Sequence, residues 1–205
     1  MSSKLALVIA DVQNDFLPGG ALGVPEGDLI VPVLNAYVRR FQDAGLPIIA
    51  SRDWHPPVTS HFQSQGGRWP AHCVQGTLGA AFVPELHLPN EAIVVSKGVD
   101  PRLDSYSCFD AKATSGESFD RLLHDLGVAC FYLGGLATDY CIRATALDAL
   151  RRDFQVVILE DAVAGISPEG SRRALEEIKR AGAKFVAITT LVLPDKQLRN
   201  VGTPY

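Results

Sequence analysis

Four short apolar runs in this sequence are each followed by a side chain that can do chemistry. In chain order, the runs are followed by Asp11, Asp53, Lys97 and the segment Gly134–Cys141. If the runs are strands of one parallel sheet, their carboxyl ends meet at one edge, which is where open sheets bind ligands. The pattern therefore predicts two carboxylates, an ammonium and a thiol in one region of space.

Cys141 is the candidate nucleophile at this edge. With Thr138 as the N-cap, Cys141 would lie in the first turn of a helix, where free amide groups and the helix dipole favour a thiolate. The same amides could bind the oxyanion of a tetrahedral intermediate. A small core residue is the alternative role, since most free cysteines simply fill space in a protein interior. The other cysteines, Cys73, Cys108 and Cys130, are scattered and form no CxxC pair, which favours free thiols over disulfides.

Asp11 and Lys97 are predicted to form a pair. A carboxylate at the end of an apolar strand is costly to bury alone and requires a cation, and Lys97 follows another of the runs. In a catalytic site, Asp11 could accept the thiol proton while the Lys97 ammonium stabilises the anions. A purely structural ion pair is the alternative, and the two residues alone do not decide between these roles.

A second cluster of polar side chains indicates a metal site. Its members are Asp53, His55, His61 and His72. In an extended chain, residues two apart point to the same side, so Asp53 and His55 can face one ion. Nitrogen and oxygen ligands suit one divalent transition metal, Zn²⁺, Fe²⁺ or Mn²⁺, without selecting among them. Solvated loop histidines are the alternative, because an Asp-x-His match is a weak signal by itself.

These side chains must be positioned by strands and helices that alternate along the chain. Six apolar runs are predicted strands: Leu5–Ala10, Pro47–Ala50, Ala92–Val95, Cys130–Leu133, Gln155–Leu159 and Phe185–Ile188. Most are apolar on both faces, which is typical of a parallel sheet covered by helices. Three helices are predicted: one over Leu29–Ala44, one from a capping box at Thr114–Glu117 to Gly127, and one from Ser167 to Gly182. The alternation predicts a Rossmann-like α/β fold, three-layer α/β/α with a central, mostly parallel six-stranded sheet.

The length of 205 residues predicts a single domain over residues 1–205. An irregular insertion around residues 54–88 interrupts the alternation, and a stretch of that length inside a domain is usually functional. Phe16, Trp69 and Tyr106 lie near the candidate site residues and could form a pocket for a flat ring. Ordinary core packing is the alternative for each of these aromatic side chains.

Composition and charge exclude several classes of partner. The net charge is −4 with no basic block, so we expect no nucleic-acid partner. The N-terminal apolar segment ends at Asp11, too short for a signal peptide or a membrane span, so we expect a cytoplasmic protein without a membrane partner. The glycine pairs Gly19–Gly20 and Gly134–Gly135 fit neither the dinucleotide nor the phosphate-loop pattern, which excludes a nucleotide site of either kind.

Several separate motifs, taken in this order, resemble the nicotinamidase/pyrazinamidase group of the isochorismatase-like cysteine hydrolases. The motifs are Ala10–Phe16, Asp53–Pro56, Trp69–Cys73, Ser96–Gly98 and Gly134–Cys141. The likeness runs through nearly the whole chain. It implies an isochorismatase-like fold and hydrolysis of nicotinamide to nicotinic acid and ammonia through a cysteine thioester. It also implies activity on pyrazinamide and a place in NAD salvage.

The resemblance also implies roles for individual residues. The triad would be Asp11, Lys97 and Cys141, with an oxyanion hole from the amides of Ala137 and Cys141 after a cis Leu136–Ala137 peptide. The implied metal ligands are Asp53, His55 and His72, with His61 less secure because relatives differ there. The implied substrate contacts are Phe16, Trp69, Tyr106, Leu136 and Ala137. The resemblance implies a small-molecule substrate, and a homo-oligomer is compatible with the sequence.

Two alternatives to this function remain open at this point. Other hydrolases of the superfamily, acting on ureidoacrylate, carbamoylsarcosine or isochorismate, share the fold and much of the triad, but as families they lack the Asp-x-His metal site. A non-catalytic metal- or ligand-binding α/β protein is the second alternative. Metal content together with ammonia release distinguishes these possibilities.

Overall fold

The computed structural model describes residues 4–194 and shows a seven-stranded sheet between layers of helices. The strands are β1 (Lys4–Ala10), β2 (Ile48–Asp53), β3 (Ile93–Lys97), β4 (Lys112–Ala113), β5 (Val128–Leu136), β6 (Gln155–Ala164) and β7 (Lys184–Val186). Their order across the sheet is β4-β3-β2-β1-β5-β6-β7. All neighbours are parallel except β3 and β4. The predicted α/β class and mostly parallel sheet are confirmed.

Helices cover both faces of the sheet. They are α1 (Ile30–Asp43), α2 (Phe119–Asp125), α3 (Arg143–Arg151) and α4 (Pro168–Arg180). Strand β1 explains the layering, because its side chains alternate between two cores. Leu7 and Ile9 share a core with the buried face of α1, whereas Ala6 and Val8 share the other core with α2 and α3. The predicted three-layer arrangement is therefore confirmed.

The sheet has seven strands where the sequence predicts six. The additional strand, β4, has two residues and pairs antiparallel with β3 at the sheet edge. Two residues are too few to show a period in the sequence, so such a strand carries no detectable pattern.

The capping box predicted at Thr114–Glu117 is wrong. Residues 113–117 form a tight turn closed by a hydrogen bond from the Ala113 amide to the Glu117 carbonyl oxygen, at 2.8 Å. The cap of α2 is Ser118, whose hydroxyl accepts from the Arg121 amide. In contrast, the predicted start of the last helix is confirmed, since Ser167 accepts from the Gly170 amide at 3.0 Å and Pro168 opens α4.

The segment between β2 and β3 has little regular structure, as the sequence predicts. Within it lie one short 3₁₀ turn, Gln63–Gln65, and isolated bridges such as His55 to Val74 and Phe62 to Trp69. A further bridge joins Gln13 to Phe82, so the segment folds back over the carboxyl end of β1. No helix within residues 4–194 is long and apolar enough to cross a membrane.

Candidate active site

Lys97 lies at the centre of a buried charged cluster. It ends β3 opposite Asp53, the last residue of β2, so the register of the two strands brings these side chains together. Its Nζ atom donates to Asp53 Oδ1, lies 3.0 Å from Asp11 Oδ2 and lies 3.5 Å from Cys141 Sγ. The structure thus brings together all four side chains that the sequence places after the strands.

Burial and the neighbouring charges act together on the pKa values of this cluster. Burial raises the pKa of Asp11, and the neighbouring Lys97 ammonium opposes that rise. Burial alone would lower the pKa of Lys97, but the carboxylates of Asp11 and Asp53 outweigh it and hold that pKa well above its ordinary value. These shifts favour the charged form of Lys97 and the protonated form of Asp11.

The two carboxylate oxygens of Asp11 have different partners. Its Oδ1 accepts a hydrogen bond from the Ser51 hydroxyl at 2.7 Å. Its Oδ2 is buried, forms an ion pair with Lys97 Nζ at 3.0 Å, and accepts no aligned hydrogen bond from the described residues. One oxygen of Asp11, one of Asp53 and the sulfur of Cys141 lie within 4.8 Å of one another. Asp11 is thus within reach of the thiol proton.

Cys141 lies on a π-helical turn, Thr138–Ile142, between β5 and α3. The N-cap of this turn is Ala137 rather than the predicted Thr138, and the Leu136–Ala137 peptide bond is cis, as the resemblance implies. The amides of Tyr140 and Ile142 donate to the Ala137 carbonyl oxygen at 3.0 and 3.2 Å. Within the described chain, the Cys141 amide between them makes no bond to that oxygen.

The thiol itself is buried, with 6% of the Cys141 residue surface exposed. Burial raises its pKa well above the ordinary value, and Lys97 opposes the rise. A thiol in this environment needs a base to take its proton as it attacks. Asp11 is the group placed to do so.

Three buried imidazoles form a second centre beside the first. One nitrogen from each of His55, His61 and His72 lies within 4.8 Å of the other two. The Nε2 atoms of His55 and His72 face Asp53 Oδ2 at 3.7 and 4.0 Å. The second nitrogen, Nδ1, has a partner in every case: Gly98 O at 3.1 Å for His55, Asp104 Oδ1 at 2.6 Å for His61 and Pro70 O at 2.8 Å for His72.

This arrangement fits a metal ion. His55 Nε2 is buried without a hydrogen-bond partner among the described residues, a costly state unless a ligand uses the lone pair. Burial lowers the pKa of His72 to about 4, so this imidazole is neutral at neutral pH, as a ligand must be. Nδ1 partners that fix ring orientation are typical of metal-binding histidines.

A cavity opens beside both centres. It is lined by the expected Phe16, Trp69, Tyr106 and Ala137, by Asp53, His61, His72 and Cys141, and by Leu22, Val24, Tyr140 and Ile166. Trp69 Nε1 donates to the Tyr106 hydroxyl at 2.9 Å, which fixes two of the aromatic walls relative to each other. Leu136, expected as a substrate contact, is fully buried in the core shared with α1 and does not line this cavity.

Four of the cavity residues, Leu22, Val24, Tyr140 and Ile166, are not predicted from the sequence. Leu22 and Val24 lie in the irregular segment that follows Phe16, and Ile166 lies between β6 and α4. Tyr140 directly precedes Cys141, and that adjacency is the one signal that could have identified it. Ile166 is held by Asp139, whose carboxylate accepts from the Ile166 amide at 3.0 Å.

Comparison with known proteins gives consistent matches over nearly the whole chain. The isochorismatase domain family matches residues 5–190. A nicotinamidase of Escherichia coli (strain K12) is 41% identical over 201 residues, covering 89% of this chain and 94% of the relative. A nicotinamidase/pyrazinamidase of Mycobacterium tuberculosis is 35% identical over 184 residues, covering 88% and 97%.

Solved structures agree with these sequence matches. The pyrazinamidase of Pyrococcus horikoshii in complex with zinc has a TM-score of 0.84 at 48% identity, covering 90% of this chain and 99% of that one. PnC1 from L. infantum in complex with nicotinate has a TM-score of 0.84 at 37% identity, covering 94% and 96%.

Proposed function

This chain belongs to the isochorismatase family, and we propose that it is a nicotinamidase, which hydrolyses nicotinamide to nicotinic acid and ammonia in NAD salvage. The main observation in support of this function is that Lys97 contacts Asp11, Asp53 and Cys141 directly beside three inward-facing histidines. Similarity to nicotinamidases at up to 41% identity and to a nicotinate complex supports the substrate. Pyrazinamide, which carries the same amide on a similar ring, is the second substrate.

In the proposed mechanism, Phe16 and Trp69 hold the pyridine ring and so direct the carboxamide carbon towards Cys141. The thiol sulfur attacks that carbon while Asp11 takes the thiol proton. The amides of Ala137 and Cys141 bind the oxyanion of the tetrahedral intermediate. Collapse breaks the carbon–nitrogen bond, and Asp11 gives its proton to the departing ammonia.

A water molecule completes the cycle. Asp11 now accepts a proton from water, the resulting hydroxide attacks the thioester carbonyl, and nicotinic acid leaves as the sulfur regains the proton. Throughout both steps the Lys97 ammonium stabilises the neighbouring anions. This function for Asp11 agrees with its place within reach of the Cys141 sulfur and beside the Lys97 ammonium.

One divalent transition metal, zinc, iron or manganese, would be held by Asp53, His55, His61 and His72. When bound, it would supply a Lewis acid for the pyridine nitrogen. The P. horikoshii relative was solved with zinc. We further propose that residues 1–205 form a single cytoplasmic domain, with the insertion around residues 54–88 supplying most of these ligands.

Ammonia release tests the function. The protein, loaded separately with zinc, iron or manganese, is incubated with nicotinamide or pyrazinamide, with and without chelator. We expect ammonia from the loaded protein, a large loss with chelator and no release from Cys141→Ala. Cys130→Ala is the matched control, because Cys130 lies near the opposite end of β5.

Two outcomes contradict the proposal. Absence of ammonia with every metal would contradict the assigned reaction and favour a binding protein. Ammonia release that survives Cys141→Ala would contradict the mechanism while leaving the reaction in place.

A further inference from the structure

The contact between His61 and Asp104 differs from the other contacts of the histidine centre. His61 Nδ1 lies 2.6 Å from Asp104 Oδ1, and Asp104 belongs to the segment between β3 and β4. We propose that Asp104 is a positioning residue that holds His61 as a direct metal ligand and thereby sets how tightly the protein binds its metal. The proposal rests on the metal site of the proposed function.

The three Nδ1 atoms have partners of two chemical kinds, main-chain carbonyl oxygens and a side-chain carboxylate. Gly98 and Pro70 offer main-chain carbonyl oxygens to His55 and His72, so the path of the chain already fixes those rings. Of the three Nδ1 partners, only that of His61 is a side-chain carboxylate. A hydrogen bond to a charged acceptor is shorter and about twice as strong as a neutral one, and it fixes the proton on Nδ1. The lone pair of Nε2 is then available to an ion.

The surroundings of the His61 ring do not replace this contact. The ring stacks on His55 at a centroid distance of 4.7 Å and lies 5.8 Å from Tyr106. Contacts of this kind restrict the plane of an imidazole, but they do not choose which nitrogen carries the proton. A ring without the carboxylate can take the other tautomer, in which Nε2 bears hydrogen and cannot bind a metal.

The exposure of Asp104 separates its role from that of a core residue. Its side chain is 54% exposed whereas the His61 side chain is 3% exposed. A half-exposed aspartate is not needed to fill the interior, so its substitution should leave the fold intact. The carboxylate therefore acts on the buried imidazole from the protein surface.

The neighbours of Asp104 raise a competing explanation. The Ser105 carbonyl oxygen lies 3.5 Å from Lys97 Nζ, and the Tyr106 hydroxyl accepts from Trp69. Removing Asp104 could therefore loosen the whole segment, rather than His61 alone. A double-mutant cycle separates the two explanations, since an effect transmitted through His61 vanishes when His61 is absent.

The experiment measures zinc affinity by competition with a chromogenic chelator, with no substrate present. The proteins are wild type, Asp104→Ala, Asp104→Asn, His61→Ala and the double variant Asp104→Ala/His61→Ala. We expect Asp104→Ala to weaken zinc binding by about 10- to 100-fold, the usual effect of losing such a partner. Asp104→Asn, which keeps an acceptor without the charge, should lie between wild type and Asp104→Ala. In the His61→Ala background, Asp104→Ala should have no further effect.

Asp100→Ala is the matched control, because Asp100 lies in the same segment but pairs with the exposed Arg102; its zinc affinity should equal that of wild type. Unchanged affinity in Asp104→Ala, or an equal loss with and without His61, would overturn the proposal. If Asp104→Ala does not fold, Asp104→Asn carries the same comparison. A protein that binds zinc as expected but releases no ammonia contradicts the proposed reaction, not this role of Asp104.

Discussion

Gln13 and Asp53 exchange two hydrogen bonds although they are 40 positions apart in the chain. Gln13 Nε2 donates to the Asp53 carbonyl oxygen and Gln13 Oε1 accepts from the Asp53 amide, each at 2.7 Å. Gln13 lies just beyond the end of β1, so its side chain continues the pairing of β1 with β2. The carboxylate of Asp53 is thereby fixed between Lys97 and the histidines.

Replacing Gln13 should therefore weaken both the fold and the metal site. Because Gln13→Ala leaves the buried amide and carbonyl of Asp53 without partners, we expect the free energy of unfolding to fall by about 2–4 kcal/mol. Zinc affinity should fall as well. Denaturant titration and chelator competition measure the two effects. Gln75→Ala removes a comparable bond to the Trp54 carbonyl from an exposed side chain and should change neither; equal effects in both variants would contradict this role for Gln13.

Position 98 should require glycine, because a side chain there would collide with His55. Its φ is +69°, and a Cβ there would lie 2.5 Å from His55 Cε1. Gly98→Ala should cost about 1–2 kcal/mol of stability for the backbone conformation and should also displace His55, lowering zinc affinity. Gly116 is the control, because its φ of +87° carries the same conformational cost with nothing within 4 Å of the added atom. Thermal unfolding and metal binding should separate the two variants; intact zinc affinity in Gly98→Ala would argue against the clash.

Removing the cation at the centre of the site should make stability depend on pH. In Lys97→Met, two buried carboxylates lose their counter-charge, so we expect unfolding to be easier by about 3–5 kcal/mol at neutral pH. Burial already raises the pKa of Asp11 and Lys97 opposes that rise, so the variant should raise it further. The folded state then binds more protons than the unfolded one, and stability falls as pH rises.

The measurement is the free energy of unfolding in chelator from about pH 5 to about pH 8. The difference between wild type and Lys97→Met should widen with increasing pH. Lys112→Met, at an exposed position of β4, should show no such trend. A difference that narrows or stays constant would contradict the assigned charges.

Asp139 should control one wall of the cavity without touching substrate. Its carboxylate accepts from the amides of Ile166 and Ser167 at 3.0 and 3.3 Å. Asp139→Ala should lower stability by about 1–3 kcal/mol and raise KM for nicotinamide more than it lowers kcat, because Ile166 loses its position. Asp43→Ala, at the end of α1, is the control. A fall in kcat with unchanged KM would place the role of Asp139 at Cys141 instead.

The strands were predictable where burial leaves a pattern. The apolar run of β1 serves two cores at once, which is why its sequence shows no alternation. The sequence predicts the end of β2 too early, at Ala50 rather than Asp53, because Ser51, Arg52 and Asp53 are polar. They nevertheless continue the strand because they pair with β3 up to Lys97. Polar residues extend a strand when its end forms a site, and hydropathy does not show this.

The remainder of the site depends on contacts between distant segments. Asp104 meets His61 across 43 positions, and Gln13 meets Ala80 across 67. All four residues lie outside the helices and strands, so no periodic sequence pattern indicates that they meet. The four charged or nucleophilic residues were predictable because parallel strands end at a common edge. Their supporting partners were not, because irregular segments follow no such rule.

The two groups of site residues lie in different kinds of structure, and this affects how long the protein can keep its metal ion. Asp11 and Lys97 lie at or next to the ends of central strands, whereas His55, His61 and His72 lie in a segment held by isolated bridges. Segments whose backbone hydrogen bonds form local turns rather than a continuous ladder open at lower free energy than sheets do. Amide protons of this segment should therefore exchange with solvent while those of β1 and β5 stay protected. The working lifetime of the protein would then be limited by release of its ion through local opening, well before the sheet unfolds.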